Sequence, residues 1–133
     1  MRVTTTVMLA LLACIGPSFA GVDPCDGPSY RHGGQCVSDK LVQAEQELEK
    51  AYKAALTRAR DEDGYRLESG SPAMYESLLR ESQRTWQAYT EVDCELAGLA
   101  TGAGGGWVGV QTSECVLQST KRRTDVLRGL WAG

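Results

Sequence analysis

Four cysteines, Cys25, Cys36, Cys94 and Cys115, constrain this chain more than any other feature. Their meaning depends on compartment, and the chain start speaks to that. Met1-Arg2 precedes an apolar run from Val7 to Gly16, and Pro17-Ser18-Phe19-Ala20 follows with small residues at Ser18 and Ala20. A basic start, a short apolar core and a small-residue boundary predict a secretory signal peptide over residues 1–20, cleaved after Ala20. The run is far short of the ~20 residues that span a bilayer, and no later segment is long and apolar enough. Cleavage removes Cys14 and leaves an even set of four cysteines in an oxidising compartment. That pattern predicts two disulfides rather than metal or redox chemistry. Four cysteines allow three pairings; locality favours Cys25–Cys36 and Cys94–Cys115. Each such bridge stabilises by roughly 2–4 kcal/mol, mainly by restricting the unfolded chain. Residues 21–133 can build only one modest core, so that contribution matters.

A second processing route is written into the same segment. Leu11-Leu12-Ala13-Cys14 has the form of a bacterial lipobox, which makes a lipoprotein anchored through Cys14 the alternative to a free periplasmic or secreted protein. The charge is mildly acidic, with 14 basic against 17 acidic residues and a net charge of −3. Loss of Arg2 with the leader takes it to about −4, which argues against nucleic acid as a partner.

The remaining sequence reads as helix. Gly21 to Gly34 holds two prolines and several glycines and is expected to be an irregular arm carrying the lone His32. Ser38 is placed to cap a first helix, with Asp39 in its first turn. Apolar positions at Leu41, Ala44, Leu48, Ala51, Tyr52, Ala55 and Ala59 step by three and four along one face. This helix is expected to end near Arg60, with Asp61-Glu62-Asp63-Gly64 as a loop. Ser71 and Pro72 suit the start of a second helix, running to about Leu99. Its apolar face reads Tyr75, Leu78, Leu79, Trp86, Tyr89, Leu96 and Ala97, with Ser82 and Asp93 on the same side. Gln111 to Leu130 forms a third, with Val116, Thr120, Arg123, Leu127 and Leu130 in phase. No run alternates with period two. The expectation is a single all-α domain over residues 21–133, a small antiparallel three-helix bundle with an irregular N-terminal arm, stapled by disulfides.

Catalytic readings find little support. A nucleophile needs a neighbouring base, and the only His lies in the arm. A glycosidase needs two carboxylates facing across a cleft, whereas the acidic residues on the helices fall mostly on solvated faces. Zinc sites want close Cys/His spacing, so no metal or other cofactor is expected. Gly102-Ala103-Gly104-Gly105-Gly106 follows a helix rather than a strand, and no Lys-Ser/Thr pair closes it as in a phosphate loop. Arg123 shares the apolar face of the third helix and is read as structural, its stem on the core and its head on a carboxylate or carbonyl, with Asp93 a candidate mate.

Cys36, Leu41, Leu48 and Tyr52 are spaced as in the first half of the lysozyme-inhibitor LprI-like N-terminal domain family. Gln83-Arg84-Thr85-Trp86-Gln87-Ala88-Tyr89, then Cys94, a Gly-rich turn, Cys115, Thr120, Arg123 and Leu127 extend the likeness to about Leu130. The sequence thus resembles that family over most of its length. It departs at Thr90, where Arg is common, at Glu45, where Asp is common, and at Trp107, which replaces a Ser-type residue. The resemblance implies a small helical domain of the bacterial envelope, with a protein partner of the lysozyme-type muramidase class; an envelope structural or adaptor module is the alternative. Gln83, Trp86, Tyr89, Thr120 and Arg123 form its structural motif, with Trp86 and Tyr89 expected in the core. Gly104, Gly105, Gly106 and Trp107 are the candidate contact residues, on a turn whose ends the Cys94–Cys115 bridge would hold; the favoured alternative for Trp107 is that it folds back over the bundle end beside that bridge. Trp is enriched among interface hot spots, and a mildly acidic inhibitor is attracted to lysozymes, which are commonly basic.

Overall fold

A computed structural model describes residues 25, 27 and 29–132; the expected signal peptide, the Cys14 lipobox and the first residues of the arm lie outside them. Three helices follow in order: α1 (Tyr30–Glu68), α2 (Tyr75–Ala100) and α3 (Trp107–Gly129). No strand occurs among the described residues. Helix α1 has 39 residues and spans ~58 Å at 1.5 Å per residue. It packs most extensively on α3, α2 also packs on α3, and α1 and α2 touch least.

The predicted α1 face is the one buried. Ala44, Leu48, Ala51, Ala55 and Ala59 lie inward with Leu41 and Tyr52 half-buried beside them. Short Ala side chains at this seam leave room for close approach by the neighbouring helices. The core falls in two clusters. One gathers Leu48, Ala51, Ala55, Leu56 and Ala59 with Leu79 and Leu127, flanked by Tyr52, Trp86 and Trp131. The other gathers Cys25, Val37, Ala44, Val110 and Leu117, flanked by Cys36, Leu41 and Trp107. Both bridges follow the local pairing, Cys25–Cys36 and Cys94–Cys115, with Cα–Cα 5.4 Å in each.

Both ends of α1 depart from expectation. The helix begins at Tyr30 rather than after Ser38. Ser29 is its N-cap, its Oγ accepting from the backbone N–H of His32 at 3.4 Å, so the last part of the expected arm is helical. At the other end α1 continues through Asp61-Glu62-Asp63-Gly64, the segment expected to be a loop. Arg58 and Glu62 pair one turn apart at 2.7 Å, and one glycine costs a helix only about 1 kcal/mol. The helix stops four residues later, at Glu68, in a Schellman turn. Gly70 takes φ +77°, its N–H donates to the Leu67 carbonyl at 3.0 Å, and the Ser71 N–H donates to the Arg66 carbonyl at 2.8 Å.

Carrying α1 past Arg60 gives Asp63 a task that sequence reasoning missed. Its buried carboxylate accepts the backbone N–H groups of Met74, Tyr75 and Glu76 at 2.7, 2.8 and 2.9 Å. These are orphan donors at the start of α2, and the negative charge sits at the positive end of that helix dipole. Met74, the N-cap residue, makes no side-chain cap bond of its own. Ser71 and Pro72, expected to open this helix, lie before it. Burial raises the Asp63 pKa, the three backbone donors and the nearby Arg66 lower it, and the net result lies below the ordinary carboxylate value. Glu76 then ties the same junction together, bonding Arg60 of α1 at 3.0 Å and Arg80 of α2 at 2.9 Å.

Candidate binding surface

The Gly-rich turn closes one end of the bundle. The Cys94–Cys115 bridge joins the last two turns of α2 to α3. Just beyond it Gly98 is buried where the helices approach most closely; a Cβ there would lie 2.1 Å from Thr112 Oγ1 and 3.0 Å from the Val108 carbonyl oxygen. Thr101 Oγ1 donates to the Gly98 carbonyl at 2.7 Å and accepts the Ala103 N–H at 3.3 Å. The chain then reverses through Gly102 at φ +67° and Gly105 at φ +58°, a region that side chains with a Cβ rarely enter. The sequence concentrates glycine here because the reversal needs two such residues and the helix pair needs a third, Gly98.

The candidate contact residues separate into two kinds. Gly104 and Gly105 are exposed at the tip; Gly106, the N-cap of α3, is exposed too but lies against the Tyr30 ring, where a Cβ would come within 2.2 Å. Trp107 is the first residue of α3, half-buried, and packs against the cluster around Val37 and Val110. It forms the base of the turn rather than its point.

The motif residues divide as well. Gln83, buried, accepts from Arg123 Nε at 2.9 Å through Oε1, and Arg123 Nη2 donates to Ser82 Oγ at 3.1 Å. The Arg123 guanidinium also lies over the Trp86 ring, 6.0 Å from its centroid. Arg123 thus serves an amide and a hydroxyl rather than the carboxylate of Asp93. Trp86 is partly buried, and its indole N–H donates to Ser119 Oγ at 3.1 Å. Thr90 is buried 2.9 Å from the same hydroxyl, and Thr120 is among the most buried side chains. Tyr89 is the exception. Expected in the core, it is 64% exposed, and Asp93 beside it holds its phenol above the ordinary tyrosine pKa through a hydrogen bond and its charge.

Tyr89 belongs to a larger correction. The face of α2 read as core points to solvent over most of its length. Leu78, Tyr89, Val92, Leu96 and Leu99 are 54–67% exposed. Of the expected face Leu79 is buried, and the rest of the buried seam is Gln83, Thr90, Cys94 and Gly98. Helix α2 thus turns its more polar side inward and holds its most apolar stripe outward. Two signals pointed this way in the sequence. Ser82 and Asp93 share the exposed stripe, and Cys94 must face α3 to reach Cys115.

Between α1 and α2, the least intimate pair, runs an open groove of about 600 Å³ with Tyr52, Trp86, Arg80, Arg84 and Glu49 among its walls. Among the described residues no group of three or more His, Cys, Asp or Glu is placed to hold a metal ion. None of the described helices is long and apolar enough to cross a membrane.

Taken together, these features define a small three-helix protein with two disulfides, a glycine-tipped end and an unpartnered apolar face. The chain belongs to the lysozyme inhibitor LprI family, whose sequence profile matches residues 25–127. It is also similar to the uncharacterized protein R02472 of Rhizobium meliloti (strain 1021), 28% identical over 135 residues that cover 98% of this chain and 96% of that one. No solved structure matches it.

Proposed function

We propose that this chain is a periplasmic or secreted inhibitor of lysozyme-type muramidases that acts by covering the enzyme, without chemistry of its own. The observation that carries the reading is the family match across residues 25–127, which takes in all three helices but the last two residues of α3 and includes both disulfides. The geometry supports it in two ways. A bundle stapled at Cys25–Cys36 and Cys94–Cys115 presents its surface with little freedom left to lose on binding. The exposed turn at Gly104, Gly105 and Gly106 carries no side chains, so its backbone can come close to the walls of a polysaccharide cleft, with Trp107 bracing it from behind. A net charge of about −4 for residues 21–133 speeds encounter with a basic enzyme.

Purified residues 21–133 in the oxidised form, titrated into a turbidity assay of bacterial cells and lysozyme, test the proposal. Inhibition that saturates with added protein is expected. A clearing rate unchanged at tens of micromolar, with both hen-type and goose-type enzymes, counts against it and favours an adaptor role in the envelope. Within an active inhibitor, Gly104→Trp, at a position where a side chain meets no neighbour, should lower potency by filling the tip with bulk, and full potency in that variant would remove the turn from the interface.

A further inference from the structure

The outward stripe of α2 is a second feature in search of a partner. Leu78, Ser82, Thr85, Tyr89, Val92, Leu96 and Leu99 recur by threes and fours, the spacing of a seam that lies along another surface. From Leu78 to Leu99 it runs ~31 Å at helical rise. At the α3 side Val126 and Leu130 extend it, and both are exposed. A monomer that buries Gln83 and Thr90 while leaving such a stripe in water forgoes the burial these side chains could have had.

The rim tells what covers it. Glu81, Asp93 and Glu95 flank the stripe on α2, and residues 85–120 contain four acidic side chains and no Lys or Arg. Arg122 and Arg123, across on α3, border it as well, and Glu81 is already paired with Arg84. The Tyr89–Leu99 half therefore keeps Asp93 and Glu95 as its acidic rim. A parallel second copy would bring the two Asp93–Glu95 clusters together, and like charges so placed oppose that pairing. A cationic surface gains from the same rim.

We infer that the Tyr89–Leu99 half of the α2 stripe is the main apolar docking surface of this protein, and that its occupant is a cationic protein, the basic muramidase of the proposed function. The inference rests on that function and deepens it. Leu99 leads directly into the Gly102–Gly106 turn, so stripe and tip form one continuous surface: the tip enters the cleft while the stripe lies on the enzyme beside it. Apolar side chains then supply the lasting contact, and the acidic rim supplies encounter rate and orientation.

The test compares wild type, the double variant Val92→Ala/Leu96→Ala, and Val42→Ala, an exposed valine of α1, for inhibition of hen-type and goose-type lysozyme. Circular dichroism and melting temperature are read in parallel. The double variant should lose roughly tenfold or more in potency with its fold intact, and Val42→Ala should lose none. Raising salt should weaken wild type more than Asp93→Asn/Glu95→Gln. Amide exchange on wild type, with and without lysozyme, should show protection at residues 89–99, a readout that stands even if the double variant fails to fold. Wild-type inhibition that the double variant retains in full, or no protection at 89–99 in an inhibited complex, overturns the surface and leaves the inhibitor reading standing. No inhibition by wild type overturns both. Sedimentation as a dimer that the double variant converts to monomer assigns the stripe to a second copy and overturns the cationic partner.

Discussion

Asp63 accepts three backbone N–H groups from the start of another helix, and its pKa lies below the ordinary carboxylate value. The stabilisation it provides is therefore fully present above the unfolded-state pKa of ~3.9 and is lost as pH falls through the lower folded-state pKa. Asp63→Ala should lower the melting temperature at neutral pH and flatten the stability profile at its acid end; thermal melts from pH 7 down to pH 2 check both. An Asp63→Ala profile parallel to wild type would mean that the cap is not linked to protonation. Arg123 makes the second argument at this scale. Arg123→Ala leaves the buried Gln83 carbonyl oxygen without its donor and uncovers Trp86. A loss of about 1–3 kcal/mol in urea unfolding is expected. The face that Arg123 occupies was legible because the residue is in phase with Thr120 and Leu127. Its partners were not, since helical phase says which face a residue occupies and nothing about the facing helix. Asp63 was illegible for a related reason. An Asp-Glu-Asp-Gly run has loop chemistry locally, and only the position of α2 shows that one of its carboxylates is needed.

At the scale of the elements, all three helices were legible, α2 most nearly in its bounds, but the facing of α2 was not. The buried face of α1 is strongly apolar and its surroundings are charged, so one phase fits. Helix α2 carries two stripes, and the more apolar one was read as core. The bridge from Cys94 and the small Gly98 decide otherwise: both must face α3, which rotates Tyr89 and Leu96 outward. Gly98→Ala tests this directly. Its Cβ would clash with Thr112 Oγ1 and press on the Val108 carbonyl, so a loss of about 1–3 kcal/mol is expected by denaturant unfolding. Were Gly98→Ala neutral, the close approach of α2 and α3 would be wrong. The helix boundaries slipped where another residue does the capping. Ser38 and Ser71 have good cap chemistry, yet Ser29, next to Tyr30, caps α1, and Asp63, from within α1, caps α2.

For the whole molecule, fold class and disulfide pattern were readable from cysteine count, locality and helical period. The family likeness drew on the same residues, most of which prove to be packing and hydrogen-bonding groups: Gln83, Trp86, Thr120 and Arg123. Their spacing encodes a scaffold, so it says little about where a partner sits. The bridges act at this scale too. Cys94→Ser/Cys115→Ser releases a loop whose ends are 21 residues apart. It should cost about 3 kcal/mol by the chain-entropy estimate, with helical content largely kept at room temperature and the melting temperature lowered. Inhibition should fall further than stability does, because the bridge also fixes the turn relative to the end of α2.

An inhibitor acting as proposed covers the catalytic cleft of a muramidase. Calorimetric titration of lysozyme with residues 21–133, with and without saturating tri-N-acetylchitotriose in the cleft, measures this. Binding to free enzyme should weaken many-fold when the cleft is filled. An affinity indifferent to the saccharide, or no heat and no binding at all, would contradict it.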